Sequence, residues 1–108
     1  MANPKENFDA LVDKLSAQTE VKKSRMFGFD SITVRKKTFA LLDGASMVFK
    51  LRGDAHTQAL ALEGGELWNP FGHQKKEWVQ IPIDHAANWE KYADEAKKYV
   101  ESLAKVSS

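Results

Sequence analysis

An α+β fold is the architecture that this sequence predicts: one twisted antiparallel β-sheet of about five strands, in the order α-β-β-β-α-β-β-α, with the helices packed on one face. Three observations carry that expectation. Apolar residues recur at helical spacing near both ends, short β-branched and aromatic runs fill the middle, and turn residues divide those runs at hairpin intervals. The 108 residues suit a single domain spanning 1–108, because one hydrophobic core ordinarily serves about 100–150 residues.

Phe8, Leu11, Val12 and Leu15 stand at offsets of zero, three, four and seven, which is one face of a first helix. Asn3 is its expected N-cap, Pro4 its first residue, and Glu6 falls where a carboxylate completes a capping box. From about Ser24 to Leu51 the pattern is that of a β-meander: Arg25-Met26-Phe27, Ser31-Ile32-Thr33-Val34, Thr38-Phe39-Ala40-Leu41-Leu42 and Met47-Val48-Phe49-Lys50-Leu51. Gly28, Arg35-Lys36-Lys37 and Asp43-Gly44 supply the breaks. Ile32 with Val34, Phe39 with Leu41, and Met47 with Phe49 and Leu51 share parities that predict one apolar sheet face needing a cover. Thr33, Ala40 and Val48 are expected on the other, mixed face.

Asp54 is the expected cap of a short helix running to Leu62, stopped by Gly64-Gly65. Glu66-Leu67-Trp68 and Glu77-Trp78-Val79-Gln80-Ile81 read as two further strands, and Pro82 ends the second because it has no N–H for the ladder. Asp84 is the expected cap of a final helix. Trp89, Tyr92, Ala93, Ala96, Tyr99, Val100 and Leu103 form its apolar stripe, and Asp94–Lys98 and Glu101–Lys105 are acid-before-base pairs at four-residue spacing.

With 43% hydrophobic and 29% charged residues, the composition suits a folded chain rather than a disordered one. No apolar run approaches the roughly 20 residues that cross a bilayer, and Met-Ala-Asn-Pro-Lys-Glu lacks the apolar core of a signal peptide, so the expected compartment is the cytosol with no membrane partner. The absence of cysteine removes disulfides, thiolate catalysis, Cys-ligated zinc and iron–sulfur clusters. A formal net charge of +1 conceals a segregation: residues 1–20 carry −2, residues 21–52 carry +6 and the remainder carries −3.

The order and spacing of Met26-Phe27-Gly28, Ile32-Thr33-Val34, Lys37-Thr38-Phe39-Ala40, Val48-Phe49-Lys50-Leu51, Trp68-Asn69-Pro70-Phe71-Gly72 and Glu77-Trp78-Val79-Gln80-Ile81-Pro82 resemble the N-terminal domain of the TfoX competence regulators. The later motifs, with the Trp89, Ala93, Ala96 spacing, are also similar to the MmcQ/YjbR proteins, and the likeness spans roughly residues 8–103. The resemblance implies a compact α+β domain with a twisted antiparallel sheet and a link to transcriptional regulation or DNA binding. It supplies no catalytic residue. In two respects this chain departs from the pattern: Arg35-Lys36 stands where relatives usually carry Gly, and 108 residues do not hold the second, C-terminal domain of the TfoX regulators.

His56, His73 and His85 lie in three separate elements without helical metal-site spacing, so they read as surface or loop-packing residues and no metal is expected. Ser46 follows a turn without a nucleophile elbow, Gly64-Gly65 is a turn rather than a phosphate cradle, and neither a cofactor nor an enzyme is expected. Trp68, Trp78 and Trp89 read first as packing residues, leaving Phe71 as the exposed aromatic. The feature above background is the basic set Lys22, Lys23, Arg25, Arg35, Lys36, Lys37, Lys50 and Arg52. Such residues serve either as solvated edge protection or, if they converge, as an electrostatic footprint for nucleic acid. The function expected is a non-catalytic binding or regulatory module for nucleic acid. The alternatives are a protein-interaction domain, as a weak homodimer, and a small-molecule or enzymatic pocket near Trp68, Phe71 and His73.

Overall fold

In the computed structural model, which describes residues 3–17, 21–26, 28–69 and 75–106, helix α1 spans Pro4–Ser16. The Asn3 carboxamide oxygen accepts from the amides of Lys5 at 3.0 Å and Glu6 at 3.2 Å, relieving two of the amides that a helix start leaves unpaired. Phe8, Leu11, Val12 and Leu15 are all buried, as the spacing predicts.

Among the described residues six strands follow rather than about five: β1 (Val21–Met26), β2 (Phe29–Val34), β3 (Lys37–Asp43), β4 (Ser46–Lys50), β5 (Glu66–Trp68) and β6 (Lys75–Pro82). They form one sheet in the order β1-β2-β3-β4-β6-β5, with every neighbouring pair antiparallel. Strand β1 starts earlier than its apolar content suggests. Lys22, Lys23, Ser24 and Arg25 are all exposed, so this edge strand lacks the alternation that marks a half-buried one. Phe27, which the sequence reading placed in this strand, lies outside the described residues.

A β-bulge corrects the expected faces. Ile32 pairs with Ala40 but Thr33 pairs with Thr38, leaving Phe39 as an extra residue in β3. Phe39 and Ala40 therefore both enter the main core, while Leu41 moves to the opposite face beside Val48 and Trp68. One inserted residue inverts the phase of everything after it, which parity counting along a single strand does not detect.

Helix α2 (Asp54–Ala61) packs against β5 and β6, and helix α3 (Trp89–Val106) crosses β2, β3 and β4. With α1 against β1 and β3, all three helices cover the face that carries Ile32, Phe39, Phe49, Val79 and Ile81. Two expected caps are corrected. Gly53 holds the N-cap position of α2 and Asp54 is its first helical residue, where a carboxylate still favours the helix dipole. Asp84 lies inside a 3₁₀ segment (Ile83–Asn88), and α3 starts after it at Trp89, which is only 2% exposed. Gly65 is required by close approach, since a Cβ there would stand 2.3 Å from the Ala59 carbonyl oxygen.

Candidate nucleic-acid interface

The pleat and the ladder sort the eight basic residues. Val21, Ile32, Val34, Phe49 and Val79 face the helices, so their strand neighbours Lys22, Thr33, Lys50 and Trp78 point to the helix-free face. Pairing of Lys22 with Thr33, Val34 with Lys37, and Lys50 with Trp78 then puts these residues at one end of the sheet. Around the β2–β3 turn, Lys22, Thr33, Arg35 and Lys36 line a concavity of about 330 Å³. Among the described residues that line it, three of the four are cationic and none is acidic. Lys37, exposed at the foot of the same turn, pairs with Val34 and so stands on the helical side of the sheet.

The other cations go elsewhere. Lys23 faces the helices, with its Nζ 3.4 Å from Asp9 Oδ1 and 5.7 Å from the centroid of the Phe8 ring. Arg25, at the opposite end of the sheet, donates to the Gly28 carbonyl at 2.6 Å and lies 3.5 Å from Asp30 Oδ1. Asp30 is held below the usual carboxylate range chiefly by a 2.8 Å hydrogen bond from Lys5. Arg52 lines a separate concavity of about 440 Å³ with Glu95, Lys98 and Tyr99 of α3.

The β2–β3 turn is strained. Arg35 and Lys36 have φ values of 51° and 70°, the left-handed pair that a two-residue type I′ hairpin demands. Asn-Gly meets that demand at little cost, whereas an ordinary L-residue incurs about 1–2 kcal/mol. The hairpin thus holds the type I′ geometry while presenting two long cations at its tip. Thr33 Oγ1 donates to the Lys22 carbonyl at 3.3 Å, tying the edge strand to the base of the turn.

Further along the helix-free face, Leu41, Val48 and Trp68 are buried, with Phe29 and Trp78 half-buried against them. The Trp68 indole N–H donates to Asp43 Oδ2 at 2.9 Å, reaching back over the face as the coiling of a sheet permits. Its ring meets Phe29 edge-on at 5.7 Å and Trp78 at 5.9 Å, so Trp68 is a packing residue. Lys50 Nζ stands 5.9 Å from the Trp78 ring centroid. Phe71 and His73, the other two members of the pocket proposed around Trp68, lie outside the described residues.

His56 Nε2 is 2.7 Å from the Lys76 carbonyl and His85 Nε2 is 2.7 Å from the Glu63 carbonyl, so each pins one backbone segment to another. Among the described residues, no three His, Cys, Asp or Glu side chains converge as metal ligands. No described helix is long and apolar enough to cross a membrane. One arrangement escaped sequence reading: the Tyr99 hydroxyl donates to the Glu77 carboxylate, and this bond raises the Tyr99 pKa. A pair 22 positions apart on a strand and a helix leaves no local pattern to find. No family model matches the chain, and neither does any curated protein or solved structure.

Proposed function

We propose that this protein is a non-catalytic, regulatory nucleic-acid-binding module of the TfoX N-terminal-like class, and that it grips phosphates at the corner built by Lys22, Arg35 and Lys36. The observation that carries this reading is the convergence of Lys22, Arg35 and Lys36 around one concavity on a face that no described helix covers. The strained turn adds weight, because backbone in a sparsely populated region persists where something other than stability favours it. Lys23, Arg25, Lys37 and Arg52 drop out of the proposed interface, and Lys50 stays as its outlying member. The cytosol is taken as the compartment because nucleic acid is met there.

Phosphate contacts of this kind position a ligand without reading its sequence. Binding is therefore expected to be largely sequence-independent and steeply weakened by salt. The test is fluorescence anisotropy with labelled oligonucleotides over a salt series, on the wild type and on a variant carrying Arg35→Asn and Lys36→Gly. That variant keeps the turn geometry and removes both charges, so the slope of log K against log salt for duplex flattens by up to about 1.8 if each cation holds one phosphate. No binding at low salt would reduce the corner to edge protection. Homodimerisation through the same face would compete with the ligand, so sedimentation with and without oligonucleotide separates the two.

A further inference from the structure

Resting on that reading, we infer that the ligand is a single strand which lies across the strands on the helix-free face, from the basic corner to Trp78. Lys22 on β1, the Arg35-Lys36 tip between β2 and β3, and Lys50 on β4 share one end and one face of the sheet. Trp78 on β6 stands opposite Lys50 and closes the row. In the strand order β1-β2-β3-β4-β6 the row covers four strand spacings, about 19 Å, with Thr33 and Thr38 between the cations.

The chemistry of the row changes along its length. Cations alone hold a duplex as well as a single strand, because both present phosphates. An aromatic ring on a sheet face is useful only to bases that are turned out of a stack, and only a single strand offers them. Trp78 suits that role: it is half-buried, it is backed by Trp68 at 5.9 Å, and Trp68 is itself fixed by its hydrogen bond to Asp43. A ring held this way loses little freedom when a base stacks on it. Lys50 Nζ lies over that ring, 5.9 Å from its centroid, so a stacking base takes the place of the ammonium, which then meets the phosphate next to it.

The experiment measures anisotropy of labelled oligothymidylate of about 12 nucleotides, long enough to cover one such site, beside a duplex of the same length. Oligothymidylate should bind at least as tightly as duplex. Trp78→Leu should weaken the single strand by about 5- to 150-fold, the range set by one stacked base, and leave duplex affinity within about twofold. Lys50→Gln, at a half-buried surface position, should flatten the single-strand salt slope by about 0.7. If Trp78→Leu fails to fold by circular dichroism, Lys50→Gln and the single-strand-to-duplex ratio decide. Preference for duplex, with the Lys50→Gln slope unchanged, overturns the single-strand inference while leaving the phosphate corner standing. Absence of binding to both nucleic acids overturns both.

Discussion

Lys22 and Lys23 are adjacent in β1, equally exposed to the eye of composition, and the pleat sends them to opposite sides of the sheet. Lys23 meets Asp9 and the ring of Phe8 on α1, whereas Lys22 lines a concavity with Thr33, Arg35 and Lys36. The same contrast separates the faces as wholes. The helical face holds the main core and compensates its cations with Asp9 and Asp30, while the helix-free face gathers cations around a concavity without a described acid. A run of positive charge in sequence is therefore two populations in space, one on the helical face and one around the β2–β3 turn.

That division is open to challenge first through stability. Trp89→Ala should cost about 3–5 kcal/mol in denaturant unfolding, because Trp89 anchors α3 in the main core. Leu41→Ala should cost less, about 2–3 kcal/mol, since it empties the smaller cluster on the other face. Equal losses would mean that the two clusters form one cooperative core. The Arg35→Asn, Lys36→Gly pair should raise stability by about 1–2 kcal/mol by relieving the left-handed turn, a gain that no charge loss on the helical face should match. A lowered denaturation midpoint would show that the two cations support the fold.

The smallest effect concerns acid. Asp30 is held below its ordinary pKa by the Lys5 hydrogen bond, so the stabilisation it provides is complete above about pH 4 and is lost as pH falls through the depressed value. Asp30→Asn should flatten the acid limb of a stability-versus-pH curve and change little at neutral pH, because such surface pairs contribute about 1 kcal/mol or less. An unchanged acid limb would remove Asp30 from the account of the helical face.

Elements whose signal is local were legible in the sequence: the Asn3 cap, the α1 stripe, the α3 stripe at Trp89, Tyr92, Ala93, Ala96 and Val100, and the strand runs among the described residues appear in the structure. What escaped depends on pairing. The bulge at Phe39 is a property of two strands, and it moved Leu41 and Ala40 to faces that parity along β3 alone assigns wrongly. The start of β1 escaped because an edge strand of exposed lysines carries no hydrophobic alternation. The candidate site divides in the same way. Its charges were visible as a run, but which of them converge is set by register and pleat. The positive φ of Arg35 and Lys36 follows from a two-residue hairpin whose ends, Val34 and Lys37, pair directly.

The direct test of the account is the salt dependence of oligothymidylate binding for Lys22→Gln beside Lys23→Gln, two variants equal in charge and one residue apart. Each removes an exposed amine from β1, so any general effect of net charge is the same in both. The account predicts that Lys22→Gln flattens the slope of log K against log salt by about 0.7, the contribution of one single-strand phosphate, and that Lys23→Gln leaves the slope unchanged. Equal flattening by both would contradict it, because the ligand would then be responding to the charge of the segment and not to the face that the fold builds.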